Sequence, residues 1–308
     1  MKKVVFILGP TAVGKTKIGV MLAKKFGGEI ISADSVQIYR GLDVGSAKVT
    51  KEEMEGIVHH AIDILNPQEE FSVFDFVEYT KQKIDEILSR NKLPIVVGGT
   101  GLYIKALTLG YNFGDSEKNS DLREKYQKLA REKGIDFLYE LLKQKDSELA
   151  EKTDKNNLVR VVRALEIAEC GGQKQYSEVD ITPILIALVR DRQNLYNDIN
   201  KRVDIMIENG LVEEVENLKK QGLSAANQSM RAIGYKEVLA FLDGEYDFQR
   251  MVELIKQHSR NYAKRQLTFL RGMKNINFVD VEQENSKELI ENMVGDFLKW
   301  TNWKLLSK

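Results

Sequence analysis

Cysteine is nearly missing from this 308-residue chain: Cys170 is the only one. An intramolecular disulfide and a multi-cysteine zinc site are therefore excluded. Histidine is scarce too, and the spacing of His59, His60 and His258 suggests no metal site. With only four prolines, a flexible multi-domain chain is not expected. Excess charge is absent: Lys plus Arg is 46 and Asp plus Glu is 46. No global positive charge announces a nucleic-acid binder, although a local basic surface stays open. No apolar run approaches the ~20 residues of a membrane span. The opening "MKKVVFILGP" has the two lysines and apolar run of a signal peptide, but it leads straight into a phosphate motif and reads as a core strand. The expectation is a cytoplasmic protein with no membrane contact.

What the chain does have is a series of short runs rich in Val and Ile. "KKVVFILG", "GEIISAD", "KLPIVVGGTG", "TPILIALVRD" and "NINFVDV" lack clean alternation. Strands buried on both faces of a parallel sheet have that pattern. Helical periodicity between them completes an α/β reading, a parallel sheet flanked by helices. From about Gly114 to Asp180 no strand is apparent. "SDLREKYQKLAREKG", "DFLYELLKQKDSELAEK" and "NNLVRVVRALEIAECGG" read as helices with Gly stops. Residues 114–180 are thus expected to form an all-helical insertion in a core made of 1–113 and 181–308. Ordinary crossover helices are the alternative.

"GPTAVGKT", Gly9 to Thr16, fits G-x-x-x-x-G-K-[ST] between a strand and a helix, the P-loop pattern. Gly9, Pro10, Thr11, Ala12, Val13, Gly14, Lys15 and Thr16 are expected to cradle a diphosphate or triphosphate. The loop turns several N–H groups into one concavity, and the helix N-terminus adds partial positive charge. Lys15 can reach the terminal phosphate, and the Thr16 hydroxyl can ligate Mg²⁺. An ATPase would add an acid at the end of an apolar strand. Asp34 and Asp191 both stand at such places, whereas "PIVVGGTG" ends in glycines. Asp34 could hold Mg²⁺, accept a proton, or simply cap a turn. Ser35 and Gln37 have the chemistry to bond a base edge, and Thr100 in "GGTG" can donate. Between Arg250 and Lys274 seven basic residues face one acid, Glu253. Arg260, Lys264 and Arg271 fall near one helical face, either a phosphate-contacting surface or a solvated one.

Taken together, "GPTAVGKT", "SADSVQIYRGLDVGSAK", "HHAIDIL", "FSVFDF", "VGGTGLYIKAL", "VRALEI", "LYNDINKRVDIMIENGLVEEV", "MRAIGYKE" and "RNYAKRQLTFLR" resemble the tRNA dimethylallyltransferases, the IPP transferase family in its bacterial form. The stretches follow the family's order over nearly the whole chain. The resemblance implies a P-loop NTPase-like core and a prenyl transfer rather than a phosphoryl transfer. The donor would be dimethylallyl diphosphate, with Mg²⁺, and the acceptor N6 of adenosine-37, 3′ of the anticodon in tRNAs reading codons that begin with U. It implies that Arg202 clamps the diphosphate beside Lys15 and Thr16, and that Asp34 orients the amine and takes its proton. Without it, Arg202 would read as a solvated helix charge. It further implies tRNA contacts at Asp34, Ser35, Val36, Gln37, Thr100, Arg123, Val159, Arg160, Val161, Val162 and Arg163, the last six in an insertion that grips the anticodon stem-loop. A monomer with no protein partner is expected. Val13, Val36, Val159 and "TFLR" depart from the residues common in the family. Eukaryotic members often carry a C-terminal zinc finger, which one cysteine cannot build.

Three other readings remain at this level. A nucleoside or small-molecule kinase would bind ATP in the same loop, but leaves the insertion and the basic helix unexplained. A transferase acting on free adenine nucleotides needs no tRNA-gripping surface. A non-catalytic RNA-binding protein needs none of Lys15, Thr16 and Asp34.

Overall fold

Eight strands punctuate the chain: β1 (Lys2–Leu8), β2 (Gly28–Ala33), β3 (His59–His60), β4 (Leu93–Gly98), β5 (Tyr111–Asn112), β6 (Gln175–Tyr176), β7 (Ile181–Val189) and β8 (Ile276–Asp280). The structure is a computed structural model that describes residues 2–112, 120–169, 175–176 and 180–299. Cys170 and the expected boundary at 113/114 lie outside them. The chain separates into two compact units, Met1–Thr108 with Val179–Lys308, and Leu109–Glu178.

The first unit is built on a six-stranded parallel sheet in the order β3-β2-β4-β1-β7-β8. Val4 to Leu8 in β1 are wholly buried. That is why the run shows no alternation: helices cover both faces, and every side chain meets a core. Each such Val, Ile or Leu contributes about 1.5–3 kcal/mol by leaving water. The helix Lys15–Phe26 follows β1 through the phosphate loop. It begins at left-handed Gly14 with no side-chain cap and ends at left-handed Gly27, whose N–H bonds Ala23 O. Its first N–H groups are thus not taken by a cap, as an anion site requires. The helix Val73–Ser89 starts instead with a capping box between Ser72 and Asp75. All five strands expected from sequence are present. β3 was not expected, because two residues carry no periodicity.

The second unit packs the helices Ser120–Lys133, Ile135–Lys145, Ser147–Glu151 and Leu158–Glu169 around Tyr126, Leu138, Leu142, Val161, Val162 and Leu165. It also holds a two-residue antiparallel pair, β5 with β6, so the expectation of a strand-free segment is corrected. Glu166 is buried in this core and receives Arg123 at 2.7 and 3.1 Å and Arg163 at 2.8 Å. Burial alone would raise its pKa; the two guanidinium groups overcome that and lower it.

Candidate active site

The carboxyl ends of β1, β2 and β4 lie side by side because Gly98 is in register with both Leu8 and Ala33. The chain leaves these ends as the phosphate loop, the Asp34 turn and the Gly99–Thr100 turn. Residues of all three line one cleft of about 740 Å³. Ligands of open α/β sheets bind at such an edge.

On the phosphate side, Thr11, Ala12, Gly14, Lys15 and Thr16 line the cleft. Gly9, Pro10 and Val13 are buried and shape the loop from within. Left-handed Ala12 (φ 64°) and Gly14 (φ 92°) curl it. Lys15 Nζ donates to Pro10 O at 2.7 Å. Burial, reinforced by the charge of Arg202, pushes its pKa down to about 7, against a smaller opposing pull from Asp34. Arg202 comes from the helix Arg192–Glu208. It donates to Thr11 Oγ1 at 3.2 Å and to Ala47 O at 3.4 Å. Burial lowers its pKa, yet a guanidinium stays charged.

On the opposite side, Asp34 Oδ1 accepts from Val36 N at 2.8 Å and Gln37 N at 3.3 Å. This Asx-type turn fixes the carboxylate at the strand end. Its Oδ2 makes no hydrogen bond to a described residue. Ser35 and Val36 are half-buried within the turn. Gln37 lines the cleft but its amide braces the loop: Nε2 donates to Ala47 O at 3.2 Å and Ser46 O at 3.4 Å. Thr100 N donates to Ala33 O at 3.3 Å. Tyr262 also lines the cleft, and burial with the nearby Asp34 charge raises its phenol to about 12.

Asp191 does not join this site. Its Oδ1 caps the helix Arg192–Glu208, accepting from Gln193 N at 2.8 Å and Asn194 N at 3.0 Å. A strand end and a helix start coincide there, and sequence alone could not tell a cap from a metal ligand. The basic helix Phe248–Arg271 is likewise divided. Lys264 and Arg271 are exposed, whereas Arg260 donates to Asn200 Oδ1 at 2.6 Å and Lys256 pairs with Asp204 at 2.5 Å.

In the second unit, Val161 (0% exposed) and Val162 (3%) are core residues. The contact expected of them is not available to their side chains, because the helical period that exposes Val159 (78%) turns Val161 and Val162 inward. Arg160 is exposed. Arg123 and Arg163 hold Glu166. Among the described residues no cluster of three His, Cys, Asp or Glu side chains forms a metal site, and no helix is long and apolar enough to cross a membrane. Among the groups that line the cleft, the Thr16 hydroxyl and the Asp34 carboxylate are hard oxygen donors. They suit Mg²⁺, which is commonly held by one or two protein oxygens plus substrate phosphates.

A model of the IPP transferase family matches residues 37–273. A tRNA dimethylallyltransferase of Clostridioides difficile is 46% identical over 307 residues, covering 97% of this chain and 99% of its own. The crystal structure of a tRNA isopentenylpyrophosphate transferase from Bacillus halodurans superimposes with a TM-score of 0.77 at 41% identity, covering all of both chains. A eukaryotic dimethylallyltransferase acting on tRNA gives a TM-score of 0.80 at 29% identity, covering 97% of this chain and 80% of its own.

The chain belongs to the IPP transferase family. The family match begins at Gln37, so the phosphate loop and Asp34 rest on motif and geometry rather than on that span. Among the cleft residues of this IPP transferase that sequence reading missed are Tyr262 and Gln266. Both lie in "RNYAKRQLTFLR", four apart and hence on one helix face. The spacing was a usable signal, masked by the basic residues around it.

Proposed function

We propose that this enzyme, a tRNA dimethylallyltransferase by family, transfers the dimethylallyl group of dimethylallyl diphosphate to N6 of adenosine-37, 3′ of the anticodon in tRNAs reading codons that begin with U. The products are N6-(dimethylallyl)adenosine and diphosphate, and the reaction is assigned to the cytoplasm. One observation carries the reading: a single cleft has the phosphate loop with Lys15 and Arg202 on one side and the Asp34 carboxylate on the other.

The bond from C1 to the bridging oxygen breaks as the bond from N6 to C1 forms. Negative charge grows on the diphosphate. Loop N–H groups, protonated Lys15 and the Arg202 fork are suited to receive it, and fixed donors of this kind need no reorganisation as charge develops. Mg²⁺, when bound, would be held by Thr16 and the diphosphate, and would supply further charge to the leaving group. Asp34 orients the amine through Oδ2 and takes its proton. An aryl amine is a weak nucleophile, so its placement matters more than the basicity of the carboxylate. The target base must leave the loop stack to enter the cleft. Exposed Val159 and Arg160 are the insertion residues best suited to touch the anticodon stem-loop, with Arg123 and Arg163 setting the surface beneath them.

The test is a transfer assay with Mg²⁺, labelled dimethylallyl diphosphate and unmodified tRNA, with ATP and free AMP in parallel. Label is expected in tRNA, and Asp34→Ala is expected to reduce it by about a thousandfold, within the usual range for a general base. Label in AMP alone, or ATP consumption with no prenyl transfer, would overturn the reading.

A further inference from the structure

One buried side chain ties the two sides of the cleft together. Gln266, 7% exposed, accepts from Thr11 N through Oε1 at 2.9 Å and donates from Nε2 to Gly99 O at 3.0 Å. Thr11 belongs to the phosphate loop, and Gly99 to the turn that follows β4. Both hydrogen-bonding ends of the amide are used, each on backbone. The fit is close: a Cβ on Gly99 would run into the Gln266 amide and come within 2.9 Å of Gly9 O. Tyr262, one helical turn earlier, lines the same cleft. The same Thr11 accepts from Arg202 through its hydroxyl.

We infer that Gln266 is a positioning residue for the transfer: its amide sets the spacing between the diphosphate cradle and the acceptor side. The inference rests on the reaction proposed above. Gln266 bonds two backbones rather than offering itself to a substrate, so it acts through them. Reaction between two bound partners depends steeply on their spacing, and an ångström of misplacement costs on the order of a hundredfold. A neutral amide is the group required. One end must accept and the other donate; a carboxylate there would face the Gly99 carbonyl, and an aliphatic side chain would leave the Gly99 carbonyl and the Thr11 N–H unpaired.

The variants are Gln266→Leu, which keeps the volume and removes both bonds; Gln266→Glu, which keeps the acceptor and loses the donor; and Gly99→Ala, which displaces the amide while leaving it in the chain. Single-turnover transfer to tRNA and the Kd for labelled dimethylallyl diphosphate are measured on each, with the Tm. Gln266→Leu is expected to lower the transfer rate by about ten- to a hundredfold, with the donor Kd within about threefold of wild type, a ceiling set by the loss of one weak bond. Gln266→Glu should fall between. Gly99→Ala should resemble Gln266→Leu, and the double variant should be little worse than either, since both break one link. Loss of transfer that only follows loss of Tm or of donor binding would overturn the inference, as would additive effects in the double variant. Hydrogen exchange of the Thr11 amide needs no turnover: slow exchange in wild type that speeds up in Gln266→Leu is expected, and equal exchange would overturn it. If wild type transferred no label, the reaction reading would fail while this exchange measurement still judged the link.

Discussion

Arginine does opposite work in the two units. In the second, Arg123 and Arg163 converge on buried Glu166, and their charge is spent inside the fold. In the first, Arg202 bonds a hydroxyl and a carbonyl, and no described carboxylate pairs with it. A guanidinium held by neutral acceptors keeps its charge available for an anion, at the cost of some desolvation. The same contrast separates Lys15, which rests on a carbonyl, from Lys48, which is clasped at 2.5 Å by both Asp43 and Asp63. Beside the phosphate loop, Lys15 and Arg202 both rest on neutral oxygens, whereas Lys48, at the same cleft, is neutralised by two carboxylates.

Four experiments put that contrast at risk. Glu166→Gln should have the largest effect. It leaves two guanidinium groups beside a neutral amide and should destabilise the second unit by about 3 kcal/mol or more, as for other broken buried pairs, read by denaturant melts. The donor Kd should not change; if it did, the division of labour would be false. Arg202→Ala should do the reverse, weakening dimethylallyl diphosphate binding by about a hundredfold, or roughly 2–3 kcal/mol for a lost charge-assisted fork, with little loss of stability. Equilibrium dialysis and a melt decide it.

Next comes pH. Burial and Arg202 hold free Lys15 at about 7. An incoming diphosphate favours the protonated form and raises that pKa, so binding takes up a proton above pH 7. The donor Kd should therefore be flat below pH 7 and rise about tenfold per unit above it, one proton being linked. Lys15→Met should remove the slope, and a slope equal to wild type would contradict the assignment. Val159→Ser should be the mildest change. At 78% exposed, it should alter stability by less than about 0.5 kcal/mol. An increase in the KM for tRNA, with the donor Kd constant, would mark this position as part of the RNA surface.

Much of this could be read from sequence because strong local signals coincide with the fold. β1, the glycine-rich loop and the helix Lys15–Phe26 each announce themselves, and β2, β4, β7 and β8 carry runs of branched residues. β3, β5 and β6 are two residues long and owe their existence to partners, not to propensity. Asp34 and Asp191 look alike in sequence. Only the chain beyond each carboxylate tells them apart: a turn facing the cleft for one, a helix to cap for the other. The spacing of Gln266 from Tyr262 hinted at a shared face, but the role of its amide could not be read. Its amide is important because of two backbones 167 and 255 residues away. Val161 and Val162, beside exposed Val159, show that consecutive positions of one sequence stretch divide between surface and core.

The glycines of "GGTG" bear on how this enzyme can vary. Gly98 lies against Ala33, Gly99 against Gln266 and the Gly9 carbonyl, and Gly101 against the Phe269 ring. A strand, a loop and a helix are thus gauged against one another across four residues. A library randomised at these three positions should return almost nothing but glycine among its active members. The cation-bearing positions around the cleft should accept graded change. Tolerance in this protein would then be lowest where there is no side chain at all.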